Sequence, residues 1–358
     1  MNHLNKSLKL STIAIILSLP LSLHTQDIVK PGEEVETAKD SESLRPSFSV
    51  DFTGEIQSDF KRVKFASLLE LGACIPLSRN VSIELSSVSF ATTREAPLID
   101  DLQCFSNLDA DNLPFALSLA GVSWNFHEYH TLFAGLRRVD EDYFCSDVLS
   151  LFTNSSCGGF PTITANYDIA SYPVAALGIH YMYDRENYTI QASVYNGRGY
   201  NKFTGRENMF RFCPDGDGIF ALLQGEYRYN SSSYFLGGSL HYGNLYGTAS
   251  RRVRPVVWAY AEQAVTDALS LVAAYSHAFS SDNACRNFCG IGGKYAFKRV
   301  DLGLFSDYTR IEGVDEWATE VTCNIQCNKH ISVQPAIHVI TTGGKTNCIG
   351  MMRMAFSL

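Results

Sequence analysis

The chain has 358 residues, of which 46% are hydrophobic and 18% charged, with a formal net charge of −8. An acidic balance argues against a nucleic-acid partner, which would want a basic patch. Beyond the N-terminus no run approaches the about 18 apolar residues of a helical membrane span, so helical spans are not expected either.

At the N-terminus, Lys6 and Lys9 precede a mostly apolar run from Leu10 to Leu23. A basic segment followed by a short apolar core is the pattern of a secretory signal peptide. We expect residues 1–25 to be that signal, with cleavage around His24 to Gln26 and no cysteine there to carry a lipid. Residues 26–46 are polar and charged, with too little apolar surface to offset chain entropy, and predict a flexible periplasmic lead-in. The remaining segment, 47–358, is expected to be one barrel domain.

From Phe48 onward the chain alternates with period two. Phe48, Val50, Phe52 and Ile56 oppose Ser49, Asp51, Thr53 and Glu55. Tyr188, Ile190, Ala192 and Val194 oppose Thr189, Gln191 and Ser193, and Ile331, Val333, Ile337 and Val339 oppose Ser332, Gln334 and His338. One greasy and one wet face mark half-buried strands, and without intervening helical patterns the class is all-β. The pattern predicts strands near 48–57, 62–72, 81–90, 115–126, 130–138, 174–183, 188–196 and 219–229. It predicts eight more near 233–242, 255–263, 268–278, 289–297, 300–308, 315–324, 330–340 and 348–358. About 16 strands of about 10 residues suit a transmembrane antiparallel up-and-down β-barrel.

The connections support the same fold. Even-numbered ones are short, whereas most odd-numbered ones are longer, with inserts at 91–114, 139–173, 197–218 and 243–254. Long and short loops at opposite ends are the habit of outer-membrane barrels. The longest insert, Val139–Pro173, falls between strands five and six and is expected to fold inward as a constriction loop. Two features run against a barrel: Pro335 inside a predicted strand, and Leu358 in place of a terminal aromatic, with Phe356 two places earlier.

Several stretches resemble carbohydrate-selective porins of the OprB type. They are Ser150-Leu-Phe-Thr-Asn-Ser-Ser, Tyr172-Pro173 leading into Ala176-Leu177-Gly178, and Val194-Tyr195-Asn196-Gly197. Glu320-Val-Thr, Ile331-Ser-Val-Gln-Pro335 and Gly343-Gly344 resemble the last strands of that family. The resemblance covers most of the chain from about Leu132 and implies a 16-stranded outer-membrane diffusion channel for sugars and other small solutes. Ten cysteines depart from the family pattern, with Cys323 and Cys348 at strand positions.

A polar lumen would be lined by Asp51, Glu55, Lys64, Glu84, Gln191, Gln224, Glu226, Arg228, Lys294, Asp301, Glu320, Gln334 and Arg353. Charges of both signs and amides can hydrogen-bond sugar hydroxyls without holding them long. Arg137, Arg138, Asp140, Glu141 and Asp142, where the long insert begins, are the constriction candidates. Tyr195, Trp124, Trp258 and Tyr260 either stack on passing sugars or, the favoured reading, form interfacial girdles. In an exported chain Cys145 and Cys157 could close the long loop by a disulfide, with unpaired thiols as the alternative. Cys285/Cys289 and Cys323/Cys327 have zinc-like spacing but no histidine cluster, so neither metal nor cofactor is expected. Gly290-Ile-Gly-Gly-Lys294 reads as a glycine kink, and His127-Glu-Tyr-His130 as a tight turn.

The expected function is passive diffusion of small solutes, sugars above all, without turnover, in contact with outer-membrane lipid and with the oligomeric state open. The rivals are an outer-membrane barrel lipase or protease and a plugged structural or adhesive barrel.

Overall fold

A computed structural model describes residues 44–358 apart from 206 and 244–250. The expected signal peptide and nearly all of the lead-in lie outside the described residues. Sixteen strands close one barrel. They are β1 (Ser47–Ser58), β2 (Val63–Pro76), β3 (Val81–Thr92), β4 (Leu113–His127), β5 (His130–Arg137), β6 (Ala176–Arg185), β7 (Tyr188–Asn196) and β8 (Ile219–Tyr229). The second half supplies β9 (Ser232–Gly243), β10 (Arg252–Ala264), β11 (Leu269–Ala278), β12 (Cys285–Phe297), β13 (Val300–Ile311), β14 (Val314–Gln326), β15 (Ile331–Thr342) and β16 (Lys345–Ser357). Each strand pairs antiparallel with its chain neighbours, and β16 pairs with β1 to close the wall, as the alternation predicts.

The two ends differ. One end carries only tight connections: 77–80, 128–129, 186–187, 230–231, 265–268, 298–299 and 327–330. The other carries the long insertions 93–112, 138–175 and 197–218 beside short turns at 59–62, 312–313 and 343–344. At 230–231, 312–313 and 343–344 both central residues have positive φ, the φ pattern of type I′ turns whose twist suits a hairpin.

Outward side chains form an apolar band that includes Ile190, Leu236, Ile291, Leu304, Val321 and Ile337, all well exposed. Near the short turns the band is rimmed by Trp124, Phe126, Tyr188, Tyr227, Tyr229 and Tyr234. An apolar belt with aromatic rims is how such a barrel meets a bilayer. Pro335 is accommodated by a local gap. The β14–β15 ladder drops the two pairs around it and resumes in the same register, from Thr322↔Ala336 to Ile325↔Val333. The missing proline N–H removes one donor without shifting the strands.

Candidate channel constriction

The 138–175 loop folds into the barrel. It contains three one-turn 3₁₀ segments, Val139–Glu141, Leu149–Leu151 and Ser155–Cys157, and a short helix, Pro161–Thr164, with proline at its first position. Most of its residues are buried although it is a connection, because it has the inner wall to pack on. Phe160 stacks on Phe288 at 5.1 Å, while Phe144 meets Trp258 at 5.0 Å and Phe152 meets Phe305 at 5.3 Å with their rings tilted. The wall makes room with glycine: a Cβ on Gly303 would lie 2.8 Å from Leu151 and Phe152.

Polar anchors complete the seat. Glu320 on β14 accepts from the backbone N–H of Thr153 at 2.9 Å and of Asn154 at 3.0 Å, and from the Thr153 hydroxyl. Glu262 on β10 accepts from the N–H of Val148 at 2.7 Å and from the Ser146 hydroxyl. Gln334 and Lys294 donate to the carbonyls of Leu151 and Asp147 at 2.6 and 2.8 Å. Unmade hydrogen bonds on a buried loop backbone would be costly, and these wall side chains satisfy them.

The 93–112 insertion also enters the lumen. Leu98, Ile99 and Phe105 join Ala318, Ile340 and Ile349 in one apolar cluster. Glu316 on β14 accepts from the N–H groups of Leu102 and Gln103 at 2.6 and 3.0 Å. Ser106 donates to Glu55 at 2.6 Å, and Lys64 pairs with Asp109. The two loops are joined directly: Asn107 N–H to Thr153 O at 2.7 Å, and Ser155 N–H to Cys104 O at 3.1 Å. The inward course of this insertion was not part of the sequence expectation. Its signal was the apolar set Leu98, Ile99, Phe105 and Leu108 in an otherwise polar connection.

The five constriction candidates fall into one charged cluster at the start of the long loop. Arg137 donates from Nε to Asp142 at 2.6 Å and lies 3.8 Å from Glu84 on β3. Arg138 pairs with Glu141 at 2.9 Å, with Glu70 on β2 at 3.5 Å and with Asp140 at 3.7 Å. Asp140 accepts from the N–H of Tyr172 at 3.1 Å, tying the two ends of the loop together. Its burial pushes its carboxyl up to about 6, against the pull of Arg138. Arg137 and Glu84 keep 14% and 28% side-chain exposure, so they border lumen water, whereas Arg138 at 5% is enclosed.

Elsewhere the candidates divide by how far the loops cover them. Gln191, Glu226, Arg228 and Lys294 face inward in the half nearer the short turns and are half-buried. Glu320 and Gln334 lie beneath the long loop and hold it, instead of lining free water. Three aromatic residues depart from the girdle reading: Tyr195, Trp258 and Tyr260 point inward and are covered, while Trp124 points outward. The Trp258 ring lies flat on the wall, where a Cβ on Gly237 would meet it at 2.3 Å. Cys145 and Cys157 are the pair left open between a disulfide and unpaired thiols. Both are free, Cys145 exposed with its thiol near the carbonyls of Glu141 and Tyr143, and Cys157 buried in the apolar core under the loop.

No family model matches the sequence, and no curated protein matches it. Among solved structures, OprB of Pseudomonas putida at high pH superposes with a TM-score of 0.75 at 15% identity, over 89% of this chain and 95% of that one. A loop-deleted OmpT, an outer membrane protein of Vibrio cholerae, gives 0.60 at 10% identity, over 88% and 99%. A mutant of Rh. blastica porin gives 0.59 at 9% identity, over 88% and 100%. This chain has the closed sixteen-stranded fold of the porins, with OprB among its structural neighbours.

Proposed function

We propose that the protein is an outer-membrane porin, a passive channel for small solutes with sugars as its main cargo. The observation that carries the reading is the 138–175 loop, which leaves the wall between β5 and β6, crosses the lumen and is bound to β10, β14 and β15. A loop held across a barrel narrows it, and the polar inner face toward the short turns suits hydrated solutes. The OprB likeness in fold and in sequence stretches supports sugars as cargo. Solute moves down its gradient without turnover. The Thr153 hydroxyl does lie 2.9 Å from Glu320 and 3.1 Å from His338, like a nucleophile beside a base, but all three are enclosed and no substrate reaches them.

A plugged barrel is the second reading, because toward the long loops inward residues around the wall, among them Glu55, Ala116, Leu222, Phe288 and His338, are buried. Single-channel conductance of the refolded protein in planar bilayers separates the two. Stable conductance that falls as a mono- or disaccharide is added supports the sugar channel. Conductance indifferent to sugars removes the cargo, and a folded, heat-modifiable barrel without conductance leaves the plug.

A further inference from the structure

The charges facing the lumen do not balance. Arg228 is held between Asp184 and Glu226 at 2.9 and 2.8 Å. Arg137 is paired with Asp142, Arg138 with Glu141, and Arg353 with Glu55. Each of these guanidinium groups already has a carboxylate, so a passing anion would have to displace one. Carboxylates, by contrast, are left over. Asp51 on β1 is half-buried and stands directly opposite Glu70 on β2; Arg138 partners Glu70 at 3.5 Å, but no cation among the described residues lies within ion-pair distance of Asp51. Asp301 shares the inward face of β13 with Gly303 and Phe305, is half-buried, and has Ala296 and Asn324 as its cross-strand neighbours. Lys294 is the offsetting cation, and it donates to a loop carbonyl. Uncompensated charge of one sign in a vestibule with low-dielectric walls concentrates ions of the other sign.

Resting on the channel reading above, we propose that the pore selects by charge. It favours cations and neutral or amino-bearing solutes over anions such as sugar acids and sugar phosphates, with Asp51 and Asp301 setting the preference.

The test is the reversal potential of the refolded full chain in a planar bilayer under a tenfold KCl gradient. We expect K⁺ to be several-fold more permeant than Cl⁻, a ratio that shrinks as both solutions are raised toward molar salt, where the screening length falls to about 3 Å. The double variant Asp51→Asn/Asp301→Asn should bring the ratio toward one while conductance at high salt stays the same. In liposome swelling, an amino sugar should enter faster than a sugar acid of equal size. Preference for Cl⁻, or a ratio the double variant leaves unchanged in a heat-modifiable barrel, overturns the charge assignment. Absence of any conductance overturns the channel reading itself, so the two failures are distinguishable.

Discussion

The two halves of the lumen are built by opposite rules. Toward the short turns the wall carries half-buried Asp51, Glu84, Gln191, Glu226 and Lys294, as a water-filled space requires. Toward the long loops the inner wall presents Phe220, Val256, Trp258, Phe288 and Phe305, as the interior of a globular protein does. The wall differs because its neighbour does: the first half faces water, apart from Lys294, which reaches the long loop, and the second faces two inserted loops. Carboxylates change role where a loop reaches them. Glu226 answers to Arg228, whereas Glu262, Glu316 and Glu320 accept backbone N–H groups from the loops.

Shortening the long loop is the strongest way to break this contrast. Replacing 140–172 by a short Gly/Ser turn should raise single-channel conductance several-fold and bare the aromatic wall to water. Conductance unchanged by the deletion would show that the loop is not what fills that half. A smaller effect is expected from Glu320→Ala, which leaves the N–H groups of Thr153 and Asn154 unmet. That should weaken the loop's seat by about 2–4 kcal/mol, read as a lower unfolding temperature and faster proteolysis near Asn154, with the β-sheet signal of the folded barrel unchanged.

The smallest expected effect concerns the other loop. Burial, with the like charge of Glu316 nearby, pushes the Asp101 carboxyl up to about 7. A carboxyl raised in the folded state binds its proton more tightly there than in the unfolded chain, where it titrates near about 3.9. The seat of the 93–112 loop should therefore weaken as pH rises from about 4 to about 7 and be level above that. Hydrogen exchange across Gln103–Leu108, corrected for its intrinsic pH dependence, should be slower at pH 5 than at pH 8. Asp101→Asn should remove the difference, and equal protection in the parent at both pH values would refute the assignment.

Much of the wall was legible because lipid outside and polar groups inside impose period two, as in Thr189, Gln191 and Ser193 against Ile190 and Val194. The position of the long loop was legible from its length. Its effect on the wall was not. Val256-Val257-Trp258-Ala259-Tyr260 is apolar on both faces, the mark of a strand covered on both sides, and it shows where the loop lies. Judged by residue type alone, Trp258 resembles a girdle residue. The charge cluster from Arg137 to Asp142 was legible as a cluster, but which members meet water depends on Glu70 and Glu84, distant in sequence and adjacent only after folding.

The seam between β1 and β16 has a kinetic meaning. Arg353 reaches Glu55 across 298 positions of chain, and Val50 and Leu358 exchange backbone hydrogen bonds at 3.2 and 3.0 Å. Hairpins elsewhere in the barrel can form as soon as both of their strands exist, but this one waits for the farthest strand to be made and delivered. Until then β1 and β16 are open edges, able to pair with any other strand in reach. The final loop closure, the most expensive in chain entropy, thus falls at the end of assembly. An unfinished barrel should persist as a species that needs to be shielded until its two edges meet.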